Sequence, residues 1–153
     1  MKENIKIGII GLGQRGDVML ENPIIPMMKN GAGIEITAVC DLLPDRVTAA
    51  AEKLEKAGFS RPAELTDYKE LLKIKELDAV YIAVSWEAHA EVAVAAMHAG
   101  KYVGLEAGGA YSIDDCCKLV RAYEETGTEL MLMENCCYGR RELMALNMAR
   151  KGV

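Results

Sequence analysis

Residues 5–16 read Ile-Lys-Ile-Gly-Ile-Ile-Gly-Leu-Gly-Gln-Arg-Gly. A short apolar run passes directly into Gly11-x-Gly13-x-x-Gly16, which predicts a buried strand, a tight turn and a helix starting near Gln14 or Arg15. Gly11 allows the turn, Gly13 lets backbone approach a pyrophosphate, and Gly16 lets the helix pack closely on the strand. The unpaired N–H groups of the helix start favour an anion there. A second apolar run, Ile34-Glu-Ile-Thr-Ala-Val-Cys-Asp41, ends in an acid 25 residues after Gly16, slightly beyond the usual spacing of about 20. A carboxylate in that place accepts from adenosine ribose hydroxyls and repels a 2′-phosphate, so NAD is expected over NADP.

Beyond this opening, strand and helix patterns alternate, which predicts an α/β Rossmann-type fold. Its sheet should be doubly wound and mostly parallel, with about six strands and helices on both faces. Pro23 and Pro26 should break the first helix, leaving a shifted helix and a loop between Met19 and Gly33. Pro44 suits a first helical turn, Val47, Ala50, Ala51, Leu54 and Ala57 follow at helical spacing, and Gly58 stops the helix. Thr66 is the expected cap of a short helix through Leu71 and Leu72. Ala79–Val84 is a fully apolar strand, taken as the fourth. A helix from about His89 to Ala99 and strand Lys101–Glu106 come next. Ser112–Asp115 resembles a capping box, opening a helix with Cys116, Leu119, Val120 and Tyr123 on one side. Glu129–Met133 is the last strand and Arg140–Lys151 the last helix. Met97, Met131, Met133 and Met144 fall where packing is expected.

Composition narrows the function classes. The 153 residues suit one domain, 1–153, and the formal net charge of −5 argues against a nucleic-acid partner. No apolar run is long enough to span a bilayer, and a first strand beginning at Asn4 or Ile5 leaves no room for a secretory signal. A cytoplasmic location is therefore expected. Cys40, Cys116, Cys117, Cys136 and Cys137 contain no C-x-x-C pair, and neither histidine lies at ligand spacing from them. Buried or half-buried free thiols and no metal site are expected.

Three further clusters fall after predicted strands: Ser85-Trp86-Glu87-Ala88-His89, Glu106-Ala107-Gly108-Gly109, and Glu134-Asn135-Cys136-Cys137-Tyr138. With the glycine loop, they resemble the N-terminal domain of the Gfo/Idh/MocA dehydrogenases. The stretch from His89 to Glu106, with its A-x-x-A-M-x-A-G-K-Y-V core, is especially similar. The resemblance covers essentially the whole chain but the first half or less of a typical member, which implies that a C-terminal substrate domain is missing from this sequence. Such domains commonly mediate homo-oligomers. The family usually carries Glu-Lys-Pro after the fifth strand, with the lysine tied to proton handling. Ala107 stands in that place and cannot act as acid or base.

The run from Met131 to Gly152 is similar to the family-109 glycoside hydrolases of the same superfamily, as is Trp86-x-x-His89. These enzymes use a retained NAD to oxidise a sugar hydroxyl transiently, and they too replace the lysine with an apolar residue. The resemblance implies that Trp86, Glu87, His89, Glu106, Ala107 and Asn135 line the NAD, beside Ser85, Gln14, Arg15 and Asp41. Four of these have a plainer reading: His89 a polar helix start, Trp86 a core plug, Glu106 a buried or capping acid, and Asp41 a helix cap. Three functions remain open: an NAD-dependent oxidoreductase acting on a sugar-like substrate, a glycosidase with no net redox, and a non-catalytic NAD-sensing module. No catalytic acid or base is identified within the chain.

Overall fold

A computed structural model describes residues 4–152; the ends of the expected 1–153 domain, residues 1–3 and 153, lie outside the described residues. Six strands form one parallel sheet: β1 (Ile5–Ile10), β2 (Ile34–Cys40), β3 (Ala63–Leu65), β4 (Ala79–Ile82), β5 (Tyr102–Leu105) and β6 (Leu130–Leu132). Their spatial order is β3-β2-β1-β4-β5-β6, and all five pairings are parallel. This is the expected doubly wound Rossmann-type arrangement. The chain reverses its direction of winding between β1 and β4, and a crevice opens there beyond the carboxyl ends of the strands.

Strand alternation divides the core into two layers. Ile9, Val39 and Tyr81 pack on one face with Leu20, Val47 and Leu54. Their neighbours Ile10, Ala38, Val80 and Ile82 pack on the other face with Val92, Ala96 and Met97. Successive side chains of a strand point to opposite faces, so a strand covered on both sides must be apolar at every position. The helices supplying these layers are α1 (Gln14–Met19), α2 (Ile25–Lys29), α3 (Pro44–Lys56), α4 (Tyr68–Leu72), α5 (Trp86–His98), α6 (Ile113–Thr126) and α7 (Arg140–Arg150).

Several boundaries differ from the sequence reading. Pro23 does not break the first helix: residues Leu20–Ile24 form a π turn that joins α1 to α2, and Pro26 sits in the first turn of α2. A wider turn shifts the hydrogen-bond pattern, and so accommodates residues that lack an N–H. The loop shrinks to residues 30–33. α4 is capped by Asp67, whose side chain accepts from Lys69 N at 2.8 Å, rather than by Thr66. α5 begins at Trp86, three residues before the expected start, with Ser85 as its N-cap. That places Trp86 and Glu87 in a helical first turn and carries His89 inside. α6 is capped as expected, with Ser112 Oγ accepting from Asp115 N at 3.1 Å. Its inward side carries Leu119 and Ala122, whereas Cys116, Val120 and Tyr123 stay exposed.

The thiol and methionine expectations hold only in part. Cys40 is buried, but Cys116, Cys117, Cys136 and Cys137 are exposed. Met97 is buried and Met133 packs against the core, whereas Met131 and Met144 are about half exposed. The reason is positional: β6 is a three-residue edge strand with one neighbour, and α7 packs chiefly on the turn just before it. Among the described residues no helix is long and apolar enough to cross a membrane. Nor does any cluster of three or more potential metal ligands occur there.

Candidate functional site

The glycine loop follows directly from β1. Gly11 N donates to Cys40 O at 2.8 Å, and Ala83 N donates to Ile10 O at 2.8 Å, so the loop is tied to both neighbouring strands. Gly11 has φ +94°, and a Cβ there would collide with the Ala83 carbonyl. A Cβ on Gly16 would run into the Gly11 carbonyl oxygen, which fixes how closely α1 approaches the turn. Above Gly13 the space is open, with Arg46 Nη1 the single heavy atom within 4 Å, at 3.7 Å. Gly13 is the N-cap of α1 and brings no capping side chain, so the first amides of the helix face that space.

This space belongs to a cleft of about 630 Å³ whose walls include Gly11, Gly13, Gln14, Arg15, Asp41 and Ser85. Six of the predicted site residues are thus brought together. Its far wall adds Arg46, Thr66, Tyr68 and Glu91, none of which the sequence reading placed in the site. Tyr68 donates to Glu91 Oε1 at 2.8 Å.

Asp41 is buried at the end of β2 and fixed by backbone donors. Leu12 N donates to its Oδ2 at 2.7 Å and Leu43 N to its Oδ1 at 3.0 Å. The acid therefore locks the glycine loop to the start of α3, and Leu43, not Asp41, is the N-cap of that helix. The Arg46 guanidinium stands 3.6 Å from Asp41 Oδ2.

A second acid lies deeper, after β5. Glu106 is 7% exposed, and its Oε1 accepts from Arg15 Nε at 2.8 Å and Tyr81 Oη at 3.0 Å. Its Oε2 accepts from Ala107 N at 2.9 Å. The hydrogen bond to Glu106 raises the Arg15 pKa above its ordinary value, which keeps the guanidinium charged. Burial first, then the neighbouring Glu106 charge, pushes the Tyr81 phenol upward, so Tyr81 remains a donor. Sequence reading missed Tyr81. Its signal was a polar tip in an apolar strand, on the layer opposite Val80 and Ile82.

His89 is 1% exposed, and neither ring nitrogen has a hydrogen-bond partner. Burial lowers its pKa, outweighing the nearby Val84 backbone, Glu106 and Glu87, so the ring stands neutral. Trp86 lies the other way, largely exposed, with its indole over Gly108. A Cβ at Gly108 would stand 3.1 Å from Trp86 Nε1, and Gly108 has φ +101°. Glu87 is exposed in the first turn of α5. Asn135 is exposed and caps the short 3-10 turn Cys136–Tyr138. Trp86, Glu87, His89, Glu106, Ala107 and Asn135 therefore do not line the cleft proper. Glu106 is linked to it through Arg15.

Comparison with known proteins agrees with this fold. A protein called glycosyl hydrolase family 109 protein 1 from Bacteroides thetaiotaomicron is 41% identical over 99% of this chain and 32% of its own length. The chain thus spans about a third of the length of the curated relatives it matches. Two solved structures share the fold. The WlbA dehydrogenase from Bordetella pertussis, in complex with NADH and UDP-GlcNAcA, has a TM-score of 0.83 at 20% identity, over 98% of this chain and 44% of that one. KijD10, a 3-ketoreductase from Actinomadura kijaniata in complex with TDP-benzene and NADP, has a TM-score of 0.79 at 23% identity, over 99% of this chain and 45% of that one. Residues 5–134 match the family model described as oxidoreductase family, NAD-binding Rossmann fold. This chain belongs to that Gfo/Idh/MocA family and is its NAD-binding Rossmann domain.

Proposed function

We propose that the chain is the cofactor-binding half of an enzyme that moves a hydride between NAD and a sugar-like substrate. The observation carrying this reading is Asp41, buried at the cleft edge and hydrogen-bonded to the glycine loop itself. The residues fit the cofactor: above Gly13 lies open space, the first amides of α1 face it, and an acid stands at the ribose end. Gly13 and Gln14 would hold the pyrophosphate through backbone amides, with Gly11 supplying the turn and Gly16 the close approach of α1. Asp41 would accept from the adenosine ribose hydroxyls, which favours NAD over NADP.

Arg15, Glu106 and Tyr81 would form the floor of the nicotinamide end. Glu106 Oε2 carries one donor and so keeps acceptor capacity for a ribose hydroxyl. Trp86, Glu87 and His89 at the start of α5, with Ala107 and Asn135 on the loops beyond β5 and β6, would complete that end. Bound there, NAD would supply the acceptor for a hydride leaving a substrate carbon. Acid–base groups and the sugar pocket would come from a substrate domain outside this sequence, so the chain alone should bind cofactor and turn over nothing.

A second reading is favoured by a specific residue. Ala107 has no proton to give or take where the dehydrogenases carry a lysine, and the curated relative named above is called a glycosyl hydrolase. The hydride would then be returned within each cycle, giving glycoside cleavage with no net redox. The test is an aryl-glycoside assay of the enzyme carrying this domain, with NAD present, following aryl alcohol and NADH together. Aryl alcohol without NADH supports the glycosidase reading, and steady NADH from a free sugar supports the dehydrogenase. Neither signal, despite bound NAD, would contradict both.

A further inference from the structure

Helix α6 has two apolar faces, and only one of them packs on the core. Leu119 and Ala122 turn inward, flanked by half-buried Asp115 and Thr126. A second stripe, Ile113, Cys116, Val120 and Tyr123, lies roughly a third of a turn around the helix and stays exposed. These four residues fall at the a and d positions of a heptad, the spacing of a helix-pairing seam. The stripe is uneven along its length. At its start Ile113 is 84% exposed and projects as a knob. Toward its end Val120 and Tyr123 join Tyr102 and Leu130 around a groove of about 450 Å³. Leu130 belongs to edge strand β6, so the groove lies at the free side of the sheet.

We propose that this face joins two copies of the chain about a two-fold axis, with their α6 helices antiparallel. The intervals along the stripe are three, four and three residues, the same read from either end. An axis midway between Cys116 and Val120 therefore sets Ile113 of each protomer against Tyr123 of its partner. Each projecting isoleucine then enters the groove of the other copy, the self-complementary match that a two-fold contact requires. Charge agrees with this register. Asp114 and Asp115 open the helix, whereas Arg121 is exposed and enters no ion pair among the described residues. The same axis carries Arg121 to the acidic first turn of the other helix. A partner of unrelated sequence would have to supply both a knob and a groove at this spacing. A second copy supplies both.

The test is sedimentation equilibrium of the chain between about 10 and about 500 µM, where a contact smaller than a standard interface associates. The mass should rise with concentration toward twice that of the chain. Val120→Glu and Ile113→Glu should each weaken association by about tenfold or more, since each buries an unpaired charge in the contact. Ile113→Glu adds an acid to the first turn of α6, where it suits the helix dipole, so this variant should stay folded. Met144→Glu, on the exposed side of α7, should associate like the parent. A chain that stays monomeric throughout overturns the proposal and leaves the α6 face to another element of the enzyme. A dimer that survives both α6 variants, or that Met144→Glu dissolves, overturns it as well by placing the contact elsewhere.

Discussion

Glu106 holds three protein donors before any ligand arrives: Arg15, Tyr81 and the Ala107 amide. A carboxylate held in this way has little freedom to lose on binding, so its remaining acceptor direction is preorganised. His89 is the opposite case, a buried imidazole with both nitrogens unpartnered. Its folded pKa lies below the ordinary 6.5 because burial penalises the cation. Above that pH both folded and unfolded rings are neutral and the histidine costs nothing in proton linkage. As pH falls through 6.5 the unfolded chain takes up a proton that the folded ring refuses, so stability is lost toward acid. Urea midpoints at about pH 7.5 and about pH 5 should therefore drop less in His89→Gln than in the parent. An equal drop would mean that His89 finds a partner in solution. Asp41 stands out in the sequence as an acid ending an apolar strand, and the structure brings it to the cleft wall. Tyr81 and Arg46 do not stand out, because their places depend on which elements stand beside them.

At the scale of elements, Lys101 shows how a charged residue can be a structural part. It is 6% exposed at the entry to β5, and its ammonium donates to the carbonyls of Ile74 at 2.7 Å and Leu77 at 2.8 Å. These carbonyls belong to the turn between α4 and β4, so Lys101 pins the segment that leads into the central strand. Lys101→Met should destabilise the chain by about 1.5–3 kcal/mol, because the carbonyls lose a charged donor in a buried place. Chemical denaturation measures this, and an unchanged midpoint would mean that water replaces the ammonium without cost. Element type followed reliably from periodicity, as in α3 with Val47, Ala50, Ala51 and Leu54 all inward. Boundaries followed less well. A π turn that accepts Pro23 leaves no period to detect, and β3, at three residues, is too short to show alternation.

Across the whole molecule, the sheet order positions the cleft. The loops after β1, β2 and β4 meet at one crevice, whereas those after β5 and β6 lie progressively further along the same rim. The apolar runs alternating with helix patterns made the parallel, doubly wound sheet legible, because parallel strands covered on both faces must be apolar throughout, but the order of its strands comes from the structure. The outer surfaces were not legible. Met131 on edge strand β6 and Met144 on α7 are expected to pack yet stay exposed, as do Leu132, Leu143, Leu146 and Met148 beside them. Composition records that a residue is apolar and not whether an element stands over it.

The most direct test of the central claim is a calorimetric titration of this chain with NAD, beside the Asp41→Ala variant. Binding by the parent, weakened at least about tenfold in Asp41→Ala through the loss of a charged hydrogen-bond acceptor, is the predicted result. Absence of binding, or equal binding by a folded Asp41→Ala, would contradict the assignment of the glycine loop and Asp41 as the dinucleotide site.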